Sequence, residues 1–325
     1  MAEIKKIGVL TSGGDAPGMN AAIRAIVRTA SASQISVEGI LQGYNGLVQE
    51  KSMELSPRSV ANIIQRGGTI LKAGRCLDFH KPEFRTKAAQ YIRKLGIDAL
   101  IVIGGDGTYM GGHLLSQEHG LPVVGVPGTI DNDIFGTEET IGFDTALNTA
   151  LEAIDRIRDT AASHDRLFIV EVMGRDSGFI AIDVGLAGGA EEVFIPETLA
   201  NVDQAIASIK RGMSRGKSSS ILVAAEGQKT GRAYDLAEQI RRKAGFEARV
   251  CVLGHIQRGG PPTARDRILA SRLGSTAVRI LQQGMSGVMV GVQSNQLVTV
   301  KFSDSVGKKR RVPNELIELA QLLAQ

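Results

Sequence analysis

Short apolar runs recur along this chain, and each is followed by a glycine-rich turn and then by apolar residues at helical spacing. The first run, residues 7–10, leads into Gly13 and Gly14, after which the residues between positions 21 and 26 mark the apolar face of a helix. The same pattern predicts further strands at residues 101–103, 123–126, 167–172, 221–225 and 250–253.

The best defined helix is predicted from residue 145 to about residue 162. Leu147, Leu151 and Ile154 recur there with the helical period of about 3.6 residues. Strands that alternate with helices in this way form parallel sheets covered by helices. The pattern therefore predicts an α/β protein.

The length of 325 residues exceeds the size at which one hydrophobic core usually stops growing, about 250 to 300 residues. We therefore expect two lobes, with chain crossings near residues 141–144 and 259–262, where glycine and proline interrupt the pattern. If the chain crosses out at the first and back at the second, residues after about His255 complete the N-terminal lobe.

Composition narrows the functional classes. Apolar residues make up 43% and charged residues 22% of the chain, which is ordinary for a globular protein. No apolar stretch approaches the roughly 18 residues of a membrane span, and no signal-like segment precedes Thr11, so we expect a cytoplasmic protein. The two cysteines, Cys76 and Cys251, have neither disulfide-framework nor metal-site spacing and are interpreted as packing residues.

The net charge of +4 suits anionic ligands, but the one dense basic run is Lys308 to Arg311. Aromatic residues are 4% of the chain and tryptophan is missing from its sequence, which disfavours binding of single-stranded nucleic acid. We expect the basic run to form a solvated turn, and we expect neither a nucleic-acid nor a membrane partner.

The loop containing Gly13 and Gly14 follows a predicted strand. Glycines there let backbone N–H groups approach an anion, and the positive end of the next helix adds to the attraction. The alternative is a tight strand-to-helix turn, because the loop lacks both common nucleotide-binding motifs.

The stretch Gly104 to Thr108 places Asp106 among three glycines at a strand end. Magnesium takes oxygen ligands and usually one or two carboxylates plus phosphate oxygens, which Asp106 is able to supply. The alternative is an aspartate that caps the next helix.

The segment Thr129 to Asp133 carries two carboxylates, Asp131 and Asp133, just after an apolar strand. In an extended segment, positions two apart face the same way, so both carboxylates are expected at one reaction centre. One would accept a hydroxyl proton, as phosphoryl transfer to an alcohol requires. A solvated acidic turn is the alternative.

A transferring phosphoryl group carries dispersed negative charge, so cationic side chains are expected near it. Arg75 and Arg175 are candidates, although either is also explained as a surface arginine. Glu226, His255 and Arg258 follow predicted strands and are expected at the same sheet edge.

Five motifs together resemble those of the bacterial-type ATP-dependent 6-phosphofructokinases, in the same order. They are GGDAPGMN from Gly13, GGDGT from Gly104, PGTIDND from Pro127, EVMGR from Glu171 and LGHIQRGG from Leu253. The resemblance extends over the chain apart from about the last fifteen residues. It implies phosphorylation of fructose 6-phosphate to fructose 1,6-bisphosphate, the committed step of glycolysis, by a homotetramer that uses Mg²⁺.

The resemblance also implies roles for individual residues. Asp131 resembles the base, supported by Asp133 and Thr129, while Arg75 and Arg175 resemble the charge clamps and Asp106 the magnesium ligand. Gly14, Tyr44, Arg75, Cys76, Gly105, Asp106, Gly107 and Thr108 resemble ATP-binding residues, with Phe79 and Arg85 in the adenine surroundings. The sugar-phosphate site would contain Thr129, Asp131, Met173, Gly174, Arg175, Glu226, His255 and Arg258, with Arg166 and Arg249 reaching in from a neighbouring subunit.

An effector site for a nucleoside diphosphate or phosphoenolpyruvate is implied as well. Arg24, Arg28, Arg158, Gly189, Glu191, Arg215 and Lys217 match its pattern. The chain departs from the pattern at Pro57, Ser218 and Ser219, which replace residues that are often basic, and this weakens the case for anion binding. Phe179 also replaces an aspartate that is common after the MGR motif.

The phosphoryl donor follows from two glycines. Pyrophosphate-dependent relatives carry an aspartate and a lysine where this chain has Gly107 and Gly128, so the space left here favours ATP. Three other hypotheses are a pyrophosphate-dependent enzyme, a NAD or lipid kinase, and a non-catalytic nucleotide sensor. The glycines oppose the first, the segment at Asp131 opposes the second, and a sensor would not need both Asp106 and Asp131.

Pattern and resemblance together predict two Rossmann-like three-layer α/β lobes with mostly parallel sheets and an active site in the cleft between them. The predicted nucleotide-binding lobe contains residues 1–142 and 256–305. The predicted sugar-phosphate and effector lobe contains residues 143–255 and 306–325.

Overall fold

The computed structural model describes residues 3–162, 166–217 and 219–324, so Ser218 lies outside the described residues. It confirms the predicted α/β class with two mostly parallel sheets. The chain divides into two compact units. Unit 1 consists of Met1–Ile130, Ile134–Thr145 and Arg258–Arg310, and unit 2 of Asp131–Asp133, Ala146–Gln257 and Arg311–Gln325. The short segment Asp131–Asp133 groups with unit 2, whereas the prediction places it in the nucleotide-binding lobe.

Unit 1 contains a seven-stranded sheet. Its strands are β1 (Lys6–Thr11), β2 (Ser36–Ile40), β3 (Ser52–Leu55), β4 (Ala99–Gly104), β5 (Val123–Pro127), β10 (Val288–Gln293) and β11 (Gln296–Lys301). Their spatial order is β11-β10-β5-β4-β1-β2-β3, and only the two edge strands, β3 and β11, run antiparallel to their neighbours. Strands β4 and β5 are buried along their whole length, as expected of central parallel strands covered on both faces.

Along the chain, the helices of unit 1 alternate with these strands. They are α1 (Met19–Ala32), α2 (Tyr44–Val48), α3 (Pro82–Lys94), α4 (Asp106–His119), α9 (Ala264–Gln282) and α10 (Phe302–Ser305), with a 3₁₀ turn at Leu77–His80. Helix α1 buries the face predicted from the sequence, including Ala22 and Ile26, and it packs against α9.

The chain reverses its direction of travel across this sheet between β1 and β4. From β1 it proceeds outward to β2, whereas from β4 it proceeds the other way to β5. Loops that leave two neighbouring parallel strands in opposite directions open a crevice at their carboxyl ends, where ligands bind in folds of this type. The glycine loops after β1 and β4 lie at this point.

Unit 2 contains a four-stranded parallel sheet in the order β7-β8-β6-β9. Its strands are β6 (Leu167–Val172), β7 (Glu192–Phe194), β8 (Ser220–Ala225) and β9 (Ala248–Val252), and its helices are α5 (Phe143–Ala162), α6 (Phe179–Gly188), α7 (Val202–Ser214), α8 (Arg232–Ala244) and α11 (Asn314–Leu323). A 3₁₀ turn, Gly254–Arg258, follows β9. The predicted helix from 145 to 162 is confirmed and begins two residues earlier, at Phe143.

The structure confirms the six predicted strands and adds β2, β3, β7, β10 and β11. Strand β7 is only three residues long, and the edge strands β3 and β11 are largely exposed. Among the described residues, no helix combines the length and the apolar character of a membrane span. Cys76 and Cys251 are half-buried and unbridged, and burial raises the pKa of each thiol.

A buried carboxylate joins the start of α5 to the start of α9. Asp266 is 1% exposed, and its oxygens accept hydrogen bonds from the backbone N–H groups of Gly142 and Thr145 and from the Thr145 hydroxyl, at 2.8, 2.8 and 2.5 Å. The Thr263 hydroxyl, which caps α9, donates to Asp144 at 2.6 Å. The first-turn amides of α5 thus obtain an acceptor from a distant part of the sequence.

Replacing Asp266 with asparagine is expected to expose a pH-dependent contribution to stability. Burial raises the pKa of Asp266 from 3.8 to about 6, so the native state holds this proton more tightly than the unfolded chain does. The contribution of Asp266 to the free energy of unfolding is therefore complete below its pKa in the unfolded chain. It is lost as the pH rises through its pKa in the folded protein. We expect the stability difference between wild type and Asp266→Asn, measured by urea unfolding, to be about 1 kcal/mol larger at pH 5 than at pH 7.5. A difference that does not change with pH would contradict this.

Candidate active site

Three loops meet at the carboxyl edge of the unit 1 sheet and are tied together by main-chain hydrogen bonds. Ser12 N donates to Ile103 O at 3.0 Å, and Gly128 N donates to Gly104 O at 3.1 Å. Gly13 N donates to Gly74 O at 3.2 Å, which ties the loop after β1 to the segment that carries Arg75. The structure thus brings together the predicted glycine loops after β1, β4 and β5.

Asp106 begins helix α4 directly after Gly105, the N-cap residue. Its side chain is half-buried, and its Oδ1 accepts a hydrogen bond from Gly307 N at 3.0 Å. Among the described residues, no group of three or more His, Cys, Asp or Glu side chains is arranged to hold a metal ion. A single carboxylate at a glycine-rich edge fits Mg²⁺ that takes its remaining ligands from phosphate oxygens and water.

Gly107 and Gly128, the two glycines that bear on the choice of phosphoryl donor, have different surroundings. A Cβ at Gly107 would meet no atom within 4 Å, whereas a Cβ at Gly128 would lie 2.9 Å from Ile103 Cγ2 and 3.1 Å from Met19 Cε. Space for a ligand is therefore open beside Gly107, whereas core side chains enclose Gly128, so the expectation that Gly128 also leaves room for the donor is wrong.

Tyr44 and Arg85 make stacking and hydrogen-bond contacts that support this edge of the sheet. Tyr44 is 4% exposed, stacks on Phe79 with ring centroids 4.2 Å apart, and donates its hydroxyl to Thr108 O at 2.5 Å. Arg85 donates to both carboxylate oxygens of Glu118, at 2.7 and 2.6 Å, and to Phe79 O at 2.8 Å. Both side chains support the loops in this structure, and their direct contact with a nucleotide stays a prediction.

Arg75 and Arg258 supply positive charge in unit 1. The Arg75 side chain is exposed, and its carbonyl accepts a hydrogen bond from Asn45 Nδ2 at 3.2 Å. A Cβ at Gly14 would lie 2.6 Å from Arg258 Nη1, so the absence of a side chain at Gly14 admits this guanidinium. Arg258 Nε is buried and has no hydrogen-bond partner in the described part of the chain, as expected of a group that meets a ligand.

The segment from Thr129 to Asp133 forms a turn. Thr129 O accepts a hydrogen bond from the Thr140 hydroxyl at 2.6 Å, and Asp131 O accepts one from the Ser177 hydroxyl at 2.7 Å. Asn132 is buried and has a left-handed φ of 51°. The expectation that extended backbone aligns Asp131 with Asp133 is therefore wrong, because the turn at Asn132 breaks the alternation of side chains.

In unit 2, the loops after β6, β8 and β9 lie at one sheet edge. Arg175 is exposed with a left-handed φ of 51°, an uncommon conformation for a long side chain that is often found at functional sites. Glu226 follows β8 and is 8% exposed, and His255 lies exposed in the turn after β9. The structure thus places Met173, Gly174, Arg175, Glu226 and His255 at the same edge of the unit 2 sheet.

Two buried residues that the sequence analysis did not assign hold these loops. Gln257 is 0% exposed, and its Oε1 accepts a hydrogen bond from Met173 N at 2.8 Å. Glu171 is 1% exposed, and its carboxylate accepts from Gly231 N and Ala233 N at 2.8 Å each. Both lie inside motifs already noted, but only tertiary contacts show what they bind.

Arg166 and Arg249 lie at the opposite end of the same strands. Arg166 precedes β6 and Arg249 is the second residue of β9, whereas Met173 and Glu226 follow the carboxyl ends of their strands. Six residues of strand span about 20 Å. The two arginines line a cavity of about 760 Å³ at this amino edge, so unit 2 does not bring them to Met173 and Glu226.

Five of the predicted effector residues belong to unit 2, namely Arg158, Gly189, Glu191, Arg215 and Lys217. Arg158 donates to Gly188 O and, at 3.0 Å, to Gly189 O, which are carbonyls at the end of α6. Glu191 is 4% exposed, pairs with Lys217 and accepts a hydrogen bond from Ile221 N. Arg215 is exposed at the end of α7, while Arg24 and Arg28 lie on α1 in unit 1.

The basic run Lys308–Arg311 is exposed as expected at Lys308, Lys309 and Arg311, but it is paired with another segment and is not a free turn. Lys309 forms a β-bridge with Ile134, and Arg310 Nη1 donates to Glu138 O at 2.7 Å. Lys308 Nζ lies 5.4 Å from the centre of the Phe135 ring. The main chain of the run is therefore fastened along the segment that follows Asp133.

Comparison with known proteins gives full-length similarities. The family described as Phosphofructokinase matches residues 6–281. The chain is 56% identical over 321 residues to ATP-dependent 6-phosphofructokinase 1 of Thermus thermophilus, covering 99% of this chain and 100% of the relative. It is 50% identical over 325 residues to ATP-dependent 6-phosphofructokinase 2 of Bacteroides thetaiotaomicron, covering 100% of both chains.

Solved structures agree with this comparison. The phosphofructokinase of Saccharomyces cerevisiae superposes with a TM-score of 0.85 at 35% identity, covering 98% of this chain and 46% of the yeast chain, so this chain spans about half the length of that relative. A pyrophosphate-dependent phosphofructokinase of Marinobacter aquaeolei has a TM-score of 0.85 at 23% identity, covering 96% of this chain and 86% of the other, which shows the shared fold alone.

Replacing Gln257 with leucine is expected to destabilise the fold. Met173 N would lose its acceptor in a buried position, which costs about 1–3 kcal/mol. Urea unfolding measures the loss, and Gln239→Leu, an exposed glutamine on α8, is the control expected to change stability by less than about 0.5 kcal/mol. Equal effects of the two variants would show that the Gln257 contact contributes nothing specific.

Proposed function

Because the chain belongs to the phosphofructokinase family and phosphorylates fructose 6-phosphate with ATP, we propose that the residues described above carry out this transfer. The reaction moves the γ-phosphoryl group of ATP to the 1-hydroxyl of the sugar phosphate. The observation that carries the assignment is the junction of three loops at the β1/β4 crevice, with one carboxylate, Asp106, at its edge.

Asp131 is the proposed base. As the 1-hydroxyl oxygen attacks the γ-phosphorus, its proton passes to the Asp131 carboxylate and the bond to the ADP leaving oxygen breaks. The Ser177 hydroxyl holds the Asp131 carbonyl, and the buried turn at Asn132 restricts the backbone. Both contacts support a fixed direction for the base, with Asp133 and Thr129 as its neighbours.

Arg75 and Arg175 are the proposed clamps on the transferred group. Both side chains are exposed, and guanidinium groups pair well with phosphoryl oxygens. Charge that spreads over these oxygens in the transition state is stabilised by fixed cations nearby. The left-handed backbone at Arg175 supports its assignment to a functional position.

The donor phosphates are assigned to the backbone of Gly14, Gly105, Gly107 and Thr108, beside Arg75, with Tyr44 and Cys76 near the nucleoside. Asp106 is the residue that would hold Mg²⁺. The ion neutralises charge on the β- and γ-phosphate oxygens when it is bound. The open space at Gly107 supports ATP rather than pyrophosphate, since a larger donor needs that room.

The sugar phosphate is assigned to Met173, Gly174, Glu226, His255 and Arg258. Arg166 and Arg249 lie at the far edge of the unit 2 sheet, so we propose that they serve the site of a second copy in a homotetramer. Their separation along β6 and β9 from Met173 supports this division. The cytoplasm is the proposed location.

Regulation by an anionic effector is proposed at Arg24, Arg28, Arg158, Gly189, Glu191, Arg215 and Lys217, with ADP or phosphoenolpyruvate as candidate ligands. Two of these cations already have partners, because Lys217 pairs with Glu191 and Arg158 donates to the carbonyls of α6. Arg215, two residues before Lys217 in the chain, is exposed and therefore accessible to a ligand.

Replacing Asp131 with serine is expected to lower kcat by at least about 100-fold, because the 1-hydroxyl would lose its proton acceptor. The KM for fructose 6-phosphate should stay within about threefold, since the sugar phosphate is held by other residues. Steady-state kinetics with purified protein measure both, and Asp203→Ser, an exposed aspartate in the first turn of α7 and outside the proposed sites, is the matched control. Unchanged turnover in Asp131→Ser would refute the role of this residue.

Replacing Gly107 with aspartate is expected to affect the nucleotide and not the fold. A Cβ at this position meets no neighbouring atom, so the melting temperature should not change measurably. An added carboxylate beside the phosphates should raise the KM for ATP at least about tenfold by repulsion and loss of space. Gly107→Ala should show a smaller increase, and equal KM values in all three proteins would contradict the donor assignment.

A further inference from the structure

The chain that follows β11 crosses unit 1 as a strap, which we define as residues 302–310. Its first residue is anchored in the core. Phe302 is 0% exposed and stacks on Tyr109 with ring centroids 5.6 Å apart, and it meets His113 edge-on at 6.2 Å. Tyr109 and His113 belong to α4, the helix that begins with Asp106. The strap is therefore packed against the helix of the proposed metal ligand.

The middle of the strap contacts Asp106 itself. Gly307 N donates to Asp106 Oδ1 at 3.0 Å, and no other hydrogen bond to this carboxylate occurs in the described part of the chain. Gly307 has a φ of 79°, a left-handed conformation that glycine adopts without strain. A Cβ built there meets no atom within 4 Å, so backbone conformation alone selects the residue.

The end of the strap is fastened to the segment after Asp133. Lys309 pairs with Ile134, which is 2% exposed, and Arg310 donates to Glu138 O at 2.7 Å. Gly307 thus lies between two fixed points, the buried Phe302 and the bridge to Ile134. A backbone N–H that is held at both sides in this way has little freedom to move with a mobile carboxylate.

We propose that Gly307 is a positioning residue of the phosphoryl-donor site. Its N–H holds Oδ1 of Asp106 and leaves Oδ2 for the cation, so the carboxylate does not have to be ordered when the metal nucleotide binds. The basic run keeps the strap in place through main-chain and carbonyl contacts. The inference rests on the proposed role of Asp106 as the Mg²⁺ ligand. Gly307, 201 positions away in the chain, would orient the Asp106 carboxylate.

Two substitutions at Gly307 separate this role from general stability. Valine strongly disfavours a φ of 79°, so Gly307→Val should displace the N–H, whereas Gly307→Asn tolerates this conformation and keeps it. The probe is Mn²⁺ together with a non-hydrolysable ATP analogue, and the dissociation constant of the cation is measured by electron paramagnetic resonance on the full-length protein.

We expect Gly307→Val to weaken Mn²⁺ binding about tenfold, the effect of removing one hydrogen bond to a charged group. Gly307→Asn should stay within about twofold of wild type, and the KM for fructose 6-phosphate should not change in either variant. Mn²⁺ affinity in Gly307→Val equal to that of wild type would overturn the proposal, and so would equal loss in both variants.

Asp106→Asn distinguishes failure of the inference from failure of the proposed function. If this variant binds Mn²⁺ as tightly as wild type, the role of Asp106 is wrong and the inference falls with it. If Asp106→Asn loses the cation while Gly307→Val does not, only the positioning role is wrong. Should Gly307→Val fail to fold, Arg310→Met loosens the strap from its far end and should weaken Mn²⁺ binding about threefold, an effect of the size expected for a partly lost hydrogen bond; no change would contradict the proposal.

Discussion

The parallel pairing of β1 with β4 is the constraint on which the donor site depends. The register sets Leu10 opposite Val102 and Thr11 opposite Ile103, so both strands end at the same level. The following loops then leave in opposite directions and share a crevice. The hydrogen bond from Ser12 N to Ile103 O continues this pairing, and the one from Gly128 N to Gly104 O continues the parallel pairing of β4 with β5. Without this register, the glycine loops would lie at different levels along the strands and would not share one edge of the sheet.

Buried acids repeatedly supply acceptors for main-chain N–H groups that secondary structure leaves without one. Glu171 holds the start of α8 and Asp266 holds the start of α5. Glu191 and Asp106 accept from single amides, those of Ile221 and Gly307. A carboxylate at such a place satisfies orphan donors and favours the positive end of a helix. Glu171 and Asp266 serve the scaffold, whereas Glu191 and the half-exposed Asp106 also belong to proposed ligand sites.

Several charged groups assigned to ligands are exposed, whereas the groups that hold their loops are buried. Arg75, Arg175 and His255 are exposed, whereas Gln257 and Glu171 are almost completely buried. Long cationic side chains keep their freedom to close on a phosphoryl group, while their backbones are fixed by neighbours. This division explains why a search for chemically reactive side chains finds the first group and overlooks the second.

Periodicity and local chemistry were sufficient for the α/β class, for six strands of apolar sequence and for the glycine and carboxylate loops that follow them, because these features depend on residues close together in the chain. They did not indicate the short or exposed strands β3, β7 and β11, whose few buried side chains give no clear pattern. Nor did they indicate the turn at Asn132, the contact of Gln257 with Met173, or the docking of the basic run. Each of these depends on hydrogen bonds between residues far apart in sequence, so strand order and packing decide them, and no local pattern of residues encodes the partner.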